Sequence, residues 1–208
     1  MRKRIIFATG NEGKMREIRM VLGDLGCEIL SMKEAGINLD IVEDGTTFEE
    51  NAIIKAEAIA AVTDAIVLAD DSGLEVDCMD KQPGVYSARF LGEDTSYVIK
   101  NQYIIDQCAG KVGAERSARF IAAIACAEKG YPTVTVRGVI EGQIAFEPKG
   151  ENGFGYDPIF FLPEYGKTTA ELPLEEKNAI SHRGRGLRAI KPIIKERMEA
   201  IDAGTCDQ

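Results

Sequence analysis

Two consecutive carboxylates, Asp70 and Asp71, follow the short apolar run Ala65-Ile66-Val67-Leu68-Ala69. In open α/β sheets, ligands collect beyond the carboxyl ends of strands. Successive strand side chains also face opposite ways, so one aspartate can meet a ligand while other groups hold its neighbour. A carboxylate so placed binds Mg²⁺, which takes oxygen ligands and substrate phosphates, or accepts a proton from water. The plainer reading of Asp70-Asp71-Ser72-Gly73 is an Asx-type turn with solvated acids.

Four other segments carry comparable chemistry. Thr9-Gly10-Asn11-Glu12-Gly13-Lys14 is a glycine-containing loop entering a helix. Free backbone N–H groups and the positive dipole end suit a phosphate there, and Lys14 adds a charge. It is no P-loop, because only two residues separate its glycines and Met15 follows the lysine. Glu43 precedes a segment in which Thr47, Asn51 and Lys55 share one helical line. That line either borders a pocket or is a solvated face. Phe154-Gly155-Tyr156-Asp157-Pro158 sets two aromatic rings among glycines, suited to stacking on a base or to a tight turn over a core. Lys177 to Arg185 holds the single histidine, His182, beside Arg183. Basic groups at a helix start oppose the dipole, which points to a bound acceptor or simply to a solvated turn. With one histidine and no G-x-S-x-G elbow, a Ser-His-Asp hydrolase has no support.

The elements that must position these groups follow from the pattern. Lys3 to Ala8 reads as a buried strand and Lys14 to Leu22 as a helix. Thr47 and Glu50 have capping-box spacing for a helix running to Val62. Ala65–Ala69 reads as a strand, and Leu74–Val76 as another. Ser96 to Cys108 reads as a helix. Ala118–Ala127 and Thr133–Ile140 read as hairpin strands, and Ile159–Leu162 as a short strand. Ser181 can cap a last helix through Ile201, with a frayed tail after Asp202. β-α-β order combined with a hairpin predicts a mixed central sheet.

The whole chain narrows the classes. Its 208 residues, 45% hydrophobic, suit one α/β domain, possibly with a lobe. There is no run of about 20 apolar residues to span a membrane. The basic start Met1-Arg2-Lys3-Arg4 is followed by an apolar stretch too short for a signal-peptide core, so a cytoplasmic location is expected. The five cysteines are widely spaced and read as reduced thiols rather than a zinc or disulfide framework. A net charge of −9 argues against nucleic-acid binding, which needs a basic footprint. A small phosphorylated substrate would need local lysines, a divalent cation, or both.

In order along the chain, these segments make the sequence similar to the inosine triphosphate pyrophosphatase family. The likeness runs through Phe7-Ala8-Thr9-Gly10-Asn11, Glu43-Asp44-Gly45-Thr46-Thr47-Phe48 and Ala69-Asp70-Asp71-Ser72-Gly73. It continues through Pro83-Gly84-Val85-Tyr86-Ser87-Ala88-Arg89, Gly150 to Pro158, Glu176-Lys177-Asn178 and Ser181-His182-Arg183-Gly184. The resemblance implies a single mixed α/β domain over residues 1–208. It would have a curved central sheet, flanking helices and two lobes around a substrate cleft. It implies a homodimer and Mg²⁺, whose oxygen ligands would also accept Mn²⁺. Phosphate binding falls on Thr9 to Lys14, the metal on Glu43 and Asp71, and proton acceptance on Asp71. Substrate contacts fall on Ser72, Phe154, Gly155, Tyr156, Asp157, Lys177, His182 and Arg183, with Lys55 and Asp70 in support. The implied reaction cleaves ITP, dITP or XTP to the monophosphate and pyrophosphate. Rival readings are a non-catalytic nucleotide sensor on the same fold and a phosphatase releasing inorganic phosphate. The chain departs from the family pattern at Cys78-Met79-Asp80-Lys81-Gln82, where a Leu-Gly-Gly-like turn is usual. Gly186 stands in place of a usual Ala, which is expected to loosen the last helix.

Overall fold

The computed structural model describes residues 4–204. Residues 1–3 and 205–208 lie outside the described residues; of the tail expected to fray after Asp202, Ala203 and Gly204 still belong to the last helix. Seven strands are present: β1 (Arg4–Phe7), β2 (Glu28–Ser31), β3 (Ile66–Val76), β4 (Ser117–Glu128), β5 (Tyr131–Ile144), β6 (Phe160–Leu162) and β7 (Lys167–Thr168). They form one sheet in the order β2-β1-β3-β4-β5-β6-β7. β1 pairs parallel with both β2 and β3, whereas β5, β6 and β7 pair antiparallel. Lys129-Gly130 alone joins β4 to β5, a connection that fits only an antiparallel hairpin. The expected mixed α/β sheet is therefore present.

Five helices accompany it: α1 (Glu12–Leu22), α2 (Phe48–Ala60), α3 (Tyr97–Gln107), α4 (Leu174–Ile180) and α5 (His182–Gly204). Thr47 accepts from Glu50 N at 3.1 Å and the Glu50 carboxylate accepts from Thr47 N at 3.2 Å, completing the capping box of α2. Asn11 caps α1 and Ser96 caps α3, each accepting from a backbone N–H three residues on. Sequence reasoning missed β2, β7 and α4. All three are short, so hydrophobic periodicity has too few residues in which to declare itself.

The described residues divide into two compact units. The first comprises those of Met1–Asp71, Ala123–Gly138 and Gly184–Gln208, and the second comprises Ser72–Ala122 and Val139–Arg183. Each has its own core. In the first, Met15, Ile18 and Leu22 of α1 and Leu187, Ile190 and Ile194 of α5 pack with Ile5, Phe7, Ile66, Leu68 and Ile124 of the strands. In the second, Ile104 and Ile105 of α3 pack with Leu74, Val76, Phe120, Ile140 and Phe160. Full burial of one such side chain contributes roughly 1.5–3 kcal/mol.

The structure places three segments that the sequence singled out. Ala65–Ala69 and Leu74–Val76 are not two strands around a turn; β3 is continuous from Ile66 to Val76, and the Asp70-Asp71-Ser72-Gly73 segment lies inside it. Polar residues mid-strand read as a break in sequence, but tertiary partners hold them here. Secondly, Gly186 does not interrupt α5. A Cβ there would lie 2.9 Å from Ile124 Cδ1, so the missing methyl lets the helix approach β4. Thirdly, the unusual Cys78–Gln82 segment forms a 3-10 turn, Asp77–Met79, followed by two left-handed residues, Asp80 (φ 51°) and Lys81 (φ 67°). Non-glycine residues adopt there the backbone that a Gly-Gly turn takes without strain.

Candidate active site

In the first unit, two lysines meet the acids of β3. Lys14, from the first turn of α1, donates from Nζ to Asp70 Oδ1 at 3.0 Å, and Asp70 is 1% exposed. Lys55, on α2, places Nζ 2.7 Å from Glu43 Oε2 and 3.7 Å from Asp71 Oδ1. Asp70 and Asp71 alternate along the strand, which gives each its own lysine. Of the Thr47-Asn51-Lys55 line, Thr47 is exposed at the helix cap, whereas Asn51 is 1% exposed and the Lys55 side chain 11%, so its inner part is no solvated face.

Asn51 carries a function that sequence reasoning did not assign to it. Its Nδ2 donates to Asp71 Oδ2 at 3.1 Å, and its Oδ1 accepts from Gly45 N at 2.9 Å. The second bond fixes which way the amide points. A Cβ on Gly45 would sit 2.6 Å from that same Oδ1, so the loop needs glycine there. The place of Asn51 one turn before Lys55 was the available signal; Gly45 stood within the Glu43–Phe48 motif, but nothing in the sequence signalled its contact with Asn51.

Burial pushes the Asp71 carboxyl above its ordinary pKa, more than Lys55 and Asn51 draw it down. Burial works against the charge of Lys55 too, but Asp71, Asp70 and Glu43 outweigh it and raise its pKa. The result is a poorly solvated carboxylate with raised basicity beside a firmly charged ammonium.

The phosphate-loop candidates lie at the start of α1. Thr9 is buried, with Oγ1 accepting from Asn11 N at 3.1 Å, while Gly10, Asn11 and Glu12 are exposed and Gly13 half-buried. The first turn of α1 thus faces solvent with its N–H groups at the positive end of the helix dipole.

The remaining candidates gather in the second unit. Arg183 is 2% exposed, donates to Ser72 Oγ at 3.0 Å, and has Cζ 5.6 Å from the centre of the Phe154 ring. Lys177 Nζ lies 5.0 Å from that ring centre. His182 stacks on Phe120, ring centres 4.8 Å apart with a 20° interplanar angle. Phe154 is only partly buried.

Asp157 holds the glycine loop together. Its Oδ2 accepts from Lys177 Nζ at 2.6 Å and Phe154 N at 2.8 Å, and its Oδ1 accepts from Thr169 Oγ1 at 2.8 Å. Gly153 (φ 76°) is needed beside it, because a Cβ would collide with the Asp157 carboxylate. Tyr156 is 4% exposed, donates its hydroxyl to Ser87 O at 2.7 Å and meets Tyr97 edge-on. Of the two aromatic candidates, Tyr156 is thus committed to the core, and Phe154 is the ring left for stacking. Gly155 O accepts from Asn101 Nδ2 at 3.1 Å, so α3 braces the loop.

The acid pair also bears on metal binding. Among the described residues, no group of three His, Cys, Asp or Glu side chains is placed to hold a metal ion. Mg²⁺ needs no such cage; it takes one or two carboxylates and completes its octahedron with water and phosphate. Glu43 and Asp71 already approach a common cation, the Lys55 ammonium. An all-oxygen pair of this kind fits Mg²⁺.

Comparison with known proteins gives the family of the chain. The family model described as the Ham1 family matches residues 5–193. A dITP/XTP pyrophosphatase of Exiguobacterium sibiricum is 48% identical over 191 residues, covering 92% of this chain and 96% of that protein. One of Bacillus subtilis is 45% identical over 193 residues, covering 93% and 98%. The solved structure of the Staphylococcus aureus Ham1 protein matches with a TM-score of 0.83 at 36% identity, over 94% of this chain and 100% of that one. A HAM1 protein from Coxiella burnetii matches with a TM-score of 0.83 at 40% identity, over 93% and 99%. Sequence and fold agree over nearly the whole length, and the chain belongs to the Ham1 family.

Proposed function

We propose that this protein is a nucleoside triphosphate pyrophosphatase that hydrolyses dITP, XTP and ITP to the monophosphate and pyrophosphate. The observation that carries the chemistry is the pair of carboxylates, Glu43 and Asp71, drawn to one ammonium at Lys55. The names of its relatives supply the substrate class.

Asp71 takes a proton from water, and the water oxygen attacks the α-phosphorus. Its burial favours the base role by keeping solvent from stabilising the carboxylate. Asn51 aims the carboxylate and Lys55 keeps it ionised. Lys14 and the first turn of α1 receive phosphate oxygens as pyrophosphate leaves. Bound between Glu43 and Asp71, Mg²⁺ would supply positive charge to the phosphate oxygens; Mn²⁺ accepts the same ligands. In the second unit, Phe154 stacks on the purine and Arg183, with His182 beside it, reads its edge. Lys177, a further substrate contact, also supports the Phe154 loop through its ion pair with Asp157.

Lys14 and Lys55, together with a divalent cation held by Glu43 and Asp71, would reconcile an anionic substrate with a net charge of −9. Among the described residues, no helix is long and apolar enough to cross a membrane. A cytoplasmic homodimer completes the proposal, testable by fractionation and by light scattering. The function itself is tested by incubating a panel of triphosphates with Mg²⁺ and resolving products. Pyrophosphate from dITP, XTP and ITP is expected. Inorganic phosphate would favour a phosphatase, and binding without turnover a sensor.

A further inference from the structure

Two thiols that are 30 residues apart in sequence meet in the second unit: Cys78 Sγ lies 3.4 Å from Cys108 Sγ. Cys78 belongs to the 3-10 turn that leaves β3, and Cys108 caps the C-terminal end of α3. Both backbones are pinned independently. Asp77, next to Cys78, accepts from Arg119 Nη1 at 2.9 Å and Nη2 at 3.0 Å. The Cys108 carbonyl accepts from Arg116 Nη1 at 2.7 Å, and its N–H donates to Ile104 O at 3.2 Å. The sulfurs therefore stay together while the fold persists.

The two thiols are not equivalent. Cys108 is fully buried and Cys78 only partly. Burial, reinforced by Cys78, pushes the Cys108 thiol up to about 12, so it remains protonated at neutral pH. Cys78 is the sulfur that a small oxidant reaches, and Cys108 is placed to resolve the product.

We propose that Cys78 and Cys108 are a redox modification site, forming a reversible intramolecular disulfide on exposure to a peroxide. The Cys78 thiol gives up its proton, its sulfur attacks one peroxide oxygen, the O–O bond breaks, and the departing hydroxide takes that proton and leaves as water, with Cys78 as a sulfenic acid. Cys108 then attacks the Cys78 sulfur, giving up its proton as the S–O bond breaks and a second water leaves. Two thiols lose two electrons and two hydrogens, and one hydrogen peroxide becomes two waters. A dithiol reductant reverses the bond by exchange. The bond would join the exit of β3 to α3, the helix whose Asn101 and Tyr97 brace Gly155 and Tyr156. This holds whatever the substrate.

The test treats the full chain with hydrogen peroxide, blocks remaining thiols by alkylation, and maps peptides by mass. The expected product is a Cys78–Cys108 linked peptide, two hydrogens lighter than the reduced pair and lost on dithiothreitol. In Cys108→Ala, Cys78 should instead be trapped as a sulfenic acid by dimedone. The wild-type map stands alone if that variant folds poorly. Alkylation of both Cys78 and Cys108 after peroxide would overturn the proposal. So would linkage of either to another cysteine or to a second chain.

Discussion

Asn51 Nδ2 lies 3.1 Å from Asp71 Oδ2, with the amide oxygen of Asn51 locked by the Gly45 N–H at 2.9 Å. A side chain buried on α2 thus sets the orientation of the central carboxylate of β3. Hydrogen bonds to charged groups contribute about 1.5–3 kcal/mol. Asn51→Ala should therefore lower kcat for dITP roughly 10- to 100-fold with near-wild-type KM, and Gly45→Ala should do so in the same direction. A kcat for Asn51→Ala within about twofold of wild type would remove Asn51 from the machinery.

Asp71→Asn should keep the fold, by circular dichroism, and lose more than about nine-tenths of turnover, a barrier increase above ~1.4 kcal/mol. Lys55 draws the Asp71 pKa down while burial raises it. Removing Lys55 leaves burial without that opposition, so the Asp71 pKa rises further in Lys55→Met. Because the base must be ionised, activity falls as pH drops through that pKa. The acid limb of kcat/KM should thus move to higher pH in Lys55→Met. A limb that stays put or moves down would exclude Asp71 as the titrating base.

Base choice should depend on Arg183. Arginine has only donors, and 6-oxo purines present an acceptor where adenine presents an amino group. A buried donor facing a donor can reject an analogue by up to ~10⁴-fold. Wild type should favour ITP strongly over ATP, and Arg183→Ala should shrink that ratio while leaving ITP against GTP little changed, since guanine shares the 6-oxo group. Phe154→Ala should raise KM for both purines alike. An unchanged ITP/ATP ratio in Arg183→Ala would move the reader elsewhere.

Gly186 and Ile124 should be energetically coupled. A methyl at 186 gains about 1 kcal/mol of helix propensity but presses on Ile124 Cδ1 at 2.9 Å. Gly186→Ala alone should change stability little or lower it. In an Ile124→Val background the same substitution should stabilise, giving a coupling of about 1 kcal/mol in urea unfolding. Strict additivity would show that the close approach is relieved elsewhere.

Asp80 holds φ at 51°, a region that costs most residues roughly 1–2 kcal/mol and aspartate less than most, though more than glycine. Asp80→Gly should raise the melting temperature, despite added freedom in the unfolded chain. A lower melting temperature would mean that contacts of the aspartate outweigh its backbone strain.

The sequence alone determined much of this protein. Capping residues and apolar spacing declared α1, α2, α3 and the β4-β5 hairpin, because those signals are local and repeat over many residues. Ordered motifs brought out the acids of β3, the loop before α1, Phe154 and Arg183. Tertiary structure decided what those groups do to one another. Asp70 and Asp71 read as a turn because two adjacent carboxylates oppose burial; Lys14 and Lys55, on other elements of the fold, offset part of that cost, and β3 runs on. The Ser87 carbonyl binds the Tyr156 hydroxyl into the core, whereas Phe154 stays partly exposed. Gly186 reads as a weak point by helix propensity, yet Ile124 gives it a packing role. Cys78 and Cys108 look unrelated in a linear chain and touch once α3 folds back against the exit of β3. In each case the deciding partner lies on another element of the fold, and hydrogen bonding, charge and packing act through distance in space, which periodicity and composition do not encode.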